Sequence, residues 1–310
     1  MVSVTSPATS TTTETRPSTQ ESTARHFWLA IIALGIGGFA IGTTEFVTMG
    51  VLPQVADGIG VTIPEAGHVI SAYALGVVVG APVIAYFGAK LPRRALLVGL
   101  MITYAVFNAL SALAPNYQTL MVARFLDGLP HGGYFGVASL VAASMVAPER
   151  RGRAIALVLM GLPIANVLGV PAATWLGQTL GWRASFWVVT ALAALTVVMV
   201  LAFVPDCPGN PEATGRRELQ ALRMPQVWFA IVAGAVGFGG MFALFSYVAP
   251  MATRVGHLPD RAVPIFLLTL GLGMVFGNWV AGRLMDWSMK TSLLGAPVAL
   301  AVALLASWLL

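Results

Sequence analysis

Nine long apolar runs, almost free of charge, follow one another down this chain, and they decide what it can fold into. The hydrocarbon core of a bilayer is about 30 Å thick and takes roughly 20 helical residues to cross. The runs lie near 27–51, 66–88, 94–114, 118–146, 154–178, 184–204, 227–251, 263–284 and 291–310. Open strands are excluded in lipid, where each unpaired backbone group costs several kcal/mol, and the strict alternation of a barrel strand is absent. The expectation is an all-α polytopic membrane protein. Composition agrees: 9% of residues are charged and 57% hydrophobic, where a soluble domain carries about a quarter charged residues.

The basic residues orient the runs. With the N-terminus inside, the cytoplasmic segments hold Arg16, Arg25, Lys90, Arg93, Arg94, Arg150, Arg151, Arg153, Arg216, Arg217, Arg223, Arg283 and Lys290. The outer loops hold only Arg183, Arg254 and Arg261, and Arg124 lies within a run. This bias places the N-terminus in the cytoplasm and the chain in the cytoplasmic membrane. The clustering of the basic residues between apolar runs argues against nucleic acid as partner, although the net charge is +5. Residues 1–26 are polar, rich in Ser and Thr, and read as a disordered cytoplasmic tail rather than a signal peptide. A six-helix bundle over 27–204 is expected, then a cytoplasmic linker over 205–226 marked by Pro205, Pro208, Gly209, Pro211 and Gly215, then a partial bundle of three helices over 227–310. Cys207 is the only cysteine, so no internal disulfide forms.

A weak internal repeat crosses that linker. Shifted by 197 residues, Gly80–Leu97 meets Gly277–Leu294, with Gly80 on Gly277, Arg93 on Lys290 and Ala89 on Asp286. Repeated bundles are a common build of secondary transporters. Several segments carry a closer resemblance: Gly42-Thr43-Thr44-Glu45-Phe46, Ser71-Ala72-Tyr73-Ala74-Leu75-Gly76, Pro92-Arg93-Arg94, Arg124 to Gly128, Pro148-Glu149-Arg150-Arg151-Gly152-Arg153, and Gly181-Trp182-Arg183 with Phe186. Together they resemble the major facilitator superfamily, and most of all its drug:proton antiporter branch, over residues 27–310.

The resemblance implies a major-facilitator-type helical bundle with an incomplete C-terminal half, since that family has twelve spans and nine are read here. It implies a secondary active transporter that exports a small organic compound, drug or sugar, by alternating access, with the proton as coupling ion and no cofactor. Two departures stand out. The cytoplasmic turn has Ala89 where the family usually has Asp, and Pro92 where it has Gly. Two other readings stay open: an inactive or partner-dependent remnant of a twelve-span transporter, and a non-transporting membrane scaffold. No metal cluster, nucleophile triad or phosphate loop suggests an enzyme. The run Gly35-Ile36-Gly37-Gly38 lies inside an apolar span and not after a strand, which discounts a dinucleotide loop.

Ionisable groups within lipid cost about 2.5–3.5 kcal/mol each on insertion scales, so Glu45, Arg124 and Asp127 ask for a reason. Counted at about 1.5 Å per residue, Glu45 and Arg124 fall at matching depths, roughly 10 Å below the outer face. In the functional reading Glu45 carries the proton, because burial favours its neutral form and a nearby guanidinium its charged form. Asp127 either shares that role or is the structural counter-ion of Arg124, three residues away on nearly the same helix face. Tyr73, Asn108, His131, Asn166 and Asn278 are cavity candidates or interhelical glue. Phe242, Phe245 and Tyr247 face either substrate or lipid. Lys90, Arg93, Arg94, Glu149, Arg150 and Asp286 are gating candidates at the cytoplasmic turns. Gly161, Pro163, Gly169 and Pro171 resemble the antiporter motif of the fifth span, a helix bent where proline removes backbone donors.

Overall fold

The computed structural model describes residues 19–209 and 223–309; the side chains of residues 19–25 and of a scatter of positions between 278 and 309 lie outside that description. Residues 1–18 of the expected tail and 210–222 of the expected linker lie outside it as well. Among the described residues every regular element is a helix.

The first rod, α1 (Thr19–Gly50), begins eight residues ahead of the apolar run, so the end of the expected tail is helical. A short helix, α2 (Leu52–Ile59), follows where a loop was expected; it buries Leu52, Val55 and Ala56 and ends on Gly60 in the left-handed conformation, φ 69°. α3 (Ile63–Gly88) starts on a capping box. Thr62 Oγ1 accepts from the Glu65 N–H at 3.4 Å, and the Glu65 carboxylate accepts from the Thr62 N–H at 2.8 Å, which satisfies two orphan donors of the helix start. α4 (Arg93–Leu113) and α5 (Tyr117–Ser144) come next, the latter capped by Asn116 and Thr119 in the same reciprocal way.

The fifth rod is broken into α6 (Arg151–Leu159), α7 (Gly161–Ile164), a π turn over Ala165–Gly169, and α8 (Val170–Leu180). Pro163 and Pro171 flank the π turn; neither has an N–H to give, so the ladder is interrupted on both sides. α9 (Arg183–Phe203) completes the first six rods. Beyond it lie α10 (Pro225–Ser246), continued by one turn at Val248–Pro250 and a π turn at Met251–Val255, then α11 (Val263–Trp287) and α12 (Met289–Leu309). Among the described residues nine rods thus stand where nine apolar runs were read, and seven helices are long and apolar enough to cross a membrane by length and composition. α5 falls short of that measure. It carries Arg124 and Asp127, and its packing against α3, α4, α1 and α6 buries both charges.

The tightest pairing is α3 on α5, and glycines make it possible. A Cβ at Gly76 or Gly80 would run into the backbone carbonyls of Phe125 or Leu129, and one at Gly128 into that of Tyr73. Backbones this close gain van der Waals contact that larger side chains would forbid. Gly161 and Gly169 do the same for α1, meeting the backbone of Gly35 and Phe39 and the side chains of Thr43 and Phe39.

The later rods join the first six through a second apolar cluster. Phe46 and Met49 of α1, Val170 of α8, Phe245 of α10 and Leu267 of α11 are buried together. Phe46 stacks on Phe242 at 5.6 Å and meets Phe245 edge-on at 5.0 Å. At the same end of the molecule Gln54 Nε2 donates to Asp260 Oδ2 at 3.3 Å. At the opposite, basic end, Arg94 pairs with Asp206 at 3.4 Å and the Arg93 N–H donates to the Cys207 carbonyl at 2.9 Å. The segment after α9 is thereby fastened under the α3–α4 turn.

Candidate functional site

A buried charge cluster lies at the centre of the first six rods. Arg124 and Asp127, both with side chains wholly shielded from solvent, form an ion pair at 2.6 Å. Asp127 Oδ1 also accepts from Asn108 Nδ2 at 2.6 Å, and the Asn108 amide oxygen accepts from Thr44 Oγ1 at 2.7 Å. Arg124 reaches the Thr44 carbonyl at 3.5 Å and lies over the ring of Tyr73, its Cζ 4.3 Å from the centroid, with Phe186 at 5.5 Å. Four rods meet here, with α9 closing the side. A buried charge is expensive unless paired and hydrogen-bonded, and this one has an ion pair, an amide bridge and an aromatic face. Among the described residues Arg124 Nε alone in this group is left without a partner.

A second hydrogen-bonded string adjoins it. Tyr73 Oη lies 3.2 Å from Tyr104 Oη and 2.9 Å from His131 Nδ1, and Tyr104 Oη donates to the Ile41 carbonyl at 3.4 Å.

Glu45 stands apart from this group. It is half-buried on α1, next to Thr44, and within the field of the Arg124 charge. Yet it makes no hydrogen bond and no ion pair within 4.0 Å among the described residues, because Asp127 takes the guanidinium. The direct partner of Arg124 is Asp127, the nearer residue in sequence, and not Glu45.

The other expected residues divide. Tyr73 and Asn108 are interior and committed to the network, and His131 joins it through Tyr73. Asn166 is buried in the π turn, donating to the Leu162 carbonyl at 3.2 Å while its amide oxygen has no partner. Phe242 packs in the Phe46 cluster and Tyr247 is exposed. Lys90, Glu149 and Arg150 are exposed, and neither Glu149 nor Arg150 forms an ion pair among the described residues. The side chains of Asn278, Asp286 and Lys290 lie outside the described residues. Trp182 and Phe186 are buried, and Arg183 ties the start of α9 to the Ala114 carbonyl at 2.9 Å. Sequence reasoning passed over Tyr104 and the hydroxyl of Thr44. Tyr104 lies four residues before Asn108, one turn along the same face, which was the available signal.

Helices long enough to cross a bilayer, gathered around a shielded charge cluster, define a polytopic all-α membrane protein of the major-facilitator type. The chain belongs to the Major Facilitator Superfamily, whose family model matches residues 34–310. It is 42% identical over 276 residues to the inner membrane transport protein YdhP of Escherichia coli K12, covering 89% of this chain and 71% of that protein. It is 37% identical to the putative transporter AraJ of the same organism, covering 82% of this chain and 64% of that protein. It is 36% identical to the chloramphenicol resistance protein of Streptomyces lividans, covering 83% and 67%. Among solved structures, a bacterial homologue of the lysosomal transporter Spinster, inward-facing and unoccupied, superposes with a TM-score of 0.70 at 18% identity, covering 84% of this chain and 63% of that one. A D-xylose–proton symporter gives 0.67 at 13%, covering 84% and 69%. These two likenesses concern the fold.

Proposed function

We propose that this chain is a secondary active transporter that exports a small organic compound, drug or sugar, in exchange for protons. The observation that carries the reading is Glu45, a half-buried carboxyl without a partner of its own among the described residues, on the helix that meets an arginine whose charge is already matched by Asp127. A carboxyl so placed gains or loses a proton as its surroundings open or close, since burial favours the neutral form and the neighbouring guanidinium the charged one. The Arg124–Asp127–Asn108 cluster then acts as a fixed electrostatic frame. Rocking of the first six rods against the later ones, by alternating access, exposes Glu45 to each side in turn. The names of the relatives, a transport protein and a resistance protein, support an exported compound of the drug class. The basic end is taken as cytoplasmic by the excess of Lys and Arg there.

The test is accumulation of labelled drugs and sugars, chloramphenicol among them, in pump-deficient cells at matched membrane expression. The parent chain is expected to lower accumulation of at least one compound, and Glu45→Gln to abolish that effect. Proton-linked export that persists unchanged in Glu45→Gln overturns the role of Glu45. No effect of the parent on any compound favours the non-transporting readings.

A further inference from the structure

α3 and α4 diverge from the basic turn over α5 and leave a groove of about 410 Å³ between them. Its floor is Gly132, Gly133 and Gly136 of α5; Ile84 and Ala85 stand on one wall and Leu96 on the other. Arg93, at the rim, is the only charged residue among those that line it, and no carboxylate is among them. Its side chain makes no hydrogen bond or ion pair among the described residues. The adjacent Arg94 is turned away to Asp206, and Lys90 is exposed at the same turn. The α3 surface beside the groove shows Val83, Tyr86 and Phe87 to the surroundings.

We infer that this groove holds an acyl chain of one anionic phospholipid, with the lipid phosphate on Arg93 and Lys90. Water in so apolar a trough would find too few hydrogen-bond partners to stay, while hydrocarbon fills it at no polar cost. An unpaired guanidinium at the rim calls for an oxyanion and suits the bidentate geometry of phosphate, and basic pockets between membrane helices take lipid headgroups of this kind. A second copy of the chain is disfavoured by charge: a two-fold contact through this patch would set Arg93 and Lys90 against themselves.

The experiment uses the purified full chain in mild detergent, with bound lipid counted by native mass spectrometry. Phosphatidylglycerol and phosphatidylcholine with the same acyl chains are the two lipids, and glycerol phosphate is the headgroup without chains. One phosphatidylglycerol is expected per chain, retained about fivefold better than phosphatidylcholine, as one or so basic contacts would give. Glycerol phosphate is expected not to displace it. Arg93→Gln should bring the two lipids level. Gly136→Leu should lose both, since a Cβ at Gly136 meets nothing within 4 Å and the side chain can fill the groove without disturbing a neighbour. Arg151→Gln, an exposed charge outside the groove, should keep the preference. Melting temperature and helical content, read on every variant, separate loss of lipid from loss of fold. Equal retention of both lipids by the parent, an undiminished preference in Arg93→Gln, or displacement by glycerol phosphate overturns the inference. So does a chain dimer that Gly136→Leu breaks.

Discussion

Replacing Asp127 by Ala would leave the Arg124 guanidinium shut in among Tyr73, Phe186 and the Thr44 carbonyl without its ion-pair partner. Breaking a buried pair in this way costs about 3–5 kcal/mol, so Asp127→Ala is expected to lose that much in reversible unfolding from detergent. Arg124→Lys should be nearly as damaging, because an ammonium cannot both hold Asp127 at 2.6 Å and lie flat over the Tyr73 ring. Exposed Glu149→Ala should change little by the same measure. The arginine–aspartate pair was legible in the sequence because three residues on a helix fix two side chains on one face. Thr44, Tyr104 and Asn108 were harder to read, since their meeting depends on how α1 and α4 are rotated about their own axes. The loneliness of Glu45 was illegible for the same reason: depth follows from counting, but who occupies a partner follows from packing.

The helices themselves were read from apolar length, and that signal has a limit at each end. α2 escaped notice because eight residues are far too few to cross a bilayer, so a reading by apolar length passes over them. The prolines of the fifth rod announced a bend, while the π turn over Ala165–Gly169 depends on where the freed carbonyls find donors. Gly128, Gly132 and Gly136 recur at every fourth residue of α5, but the spacing alone does not say which of them serve the close approach to α3. Gly128 faces the Tyr73 carbonyl and Gly132 the Ala81 side chain, whereas Gly136 faces open space. Gly128→Leu is therefore expected to prevent assembly or to exceed the usual overpacking cost of about 1–3 kcal/mol, since backbone cannot step aside. Gly99→Ala, where nothing lies within 4 Å, should melt at or above the parent temperature. Thermal unfolding of the two variants checks both statements.

At the scale of the molecule, the later rods meet the first six at the end that carries Gln54 and Asp260, and the basic turns occupy the other end. A cleavable cross-linker should join Gln54→Cys to Asp260→Cys in a Cys207→Ser background and fail to join Gln54→Cys to Arg223→Cys. If the proposed rocking is right, the cross-linked protein exports nothing until the linker is cleaved. Sidedness is checked in the same background with a membrane-impermeant maleimide on intact cells. Asp57→Cys, exposed in α2, should label directly, and Lys90→Cys only after the membrane is opened.

The polar seam of α5 also bears on how the chain is made. Alone, this helix would enter lipid with two charges, each costing about 2.5–3.5 kcal/mol at mid-membrane. Thr44, Tyr73, Tyr104 and Asn108 all precede it in the chain, and synthesis delivers N-terminal segments first. By the time Arg124 and Asp127 leave the ribosome, the residues of α1, α3 and α4 that bond or cover them have already been made, with Phe186 still to come. The order of the sequence is in this sense an order of assembly: the most reluctant helix arrives fourth, into a berth that the first three have prepared.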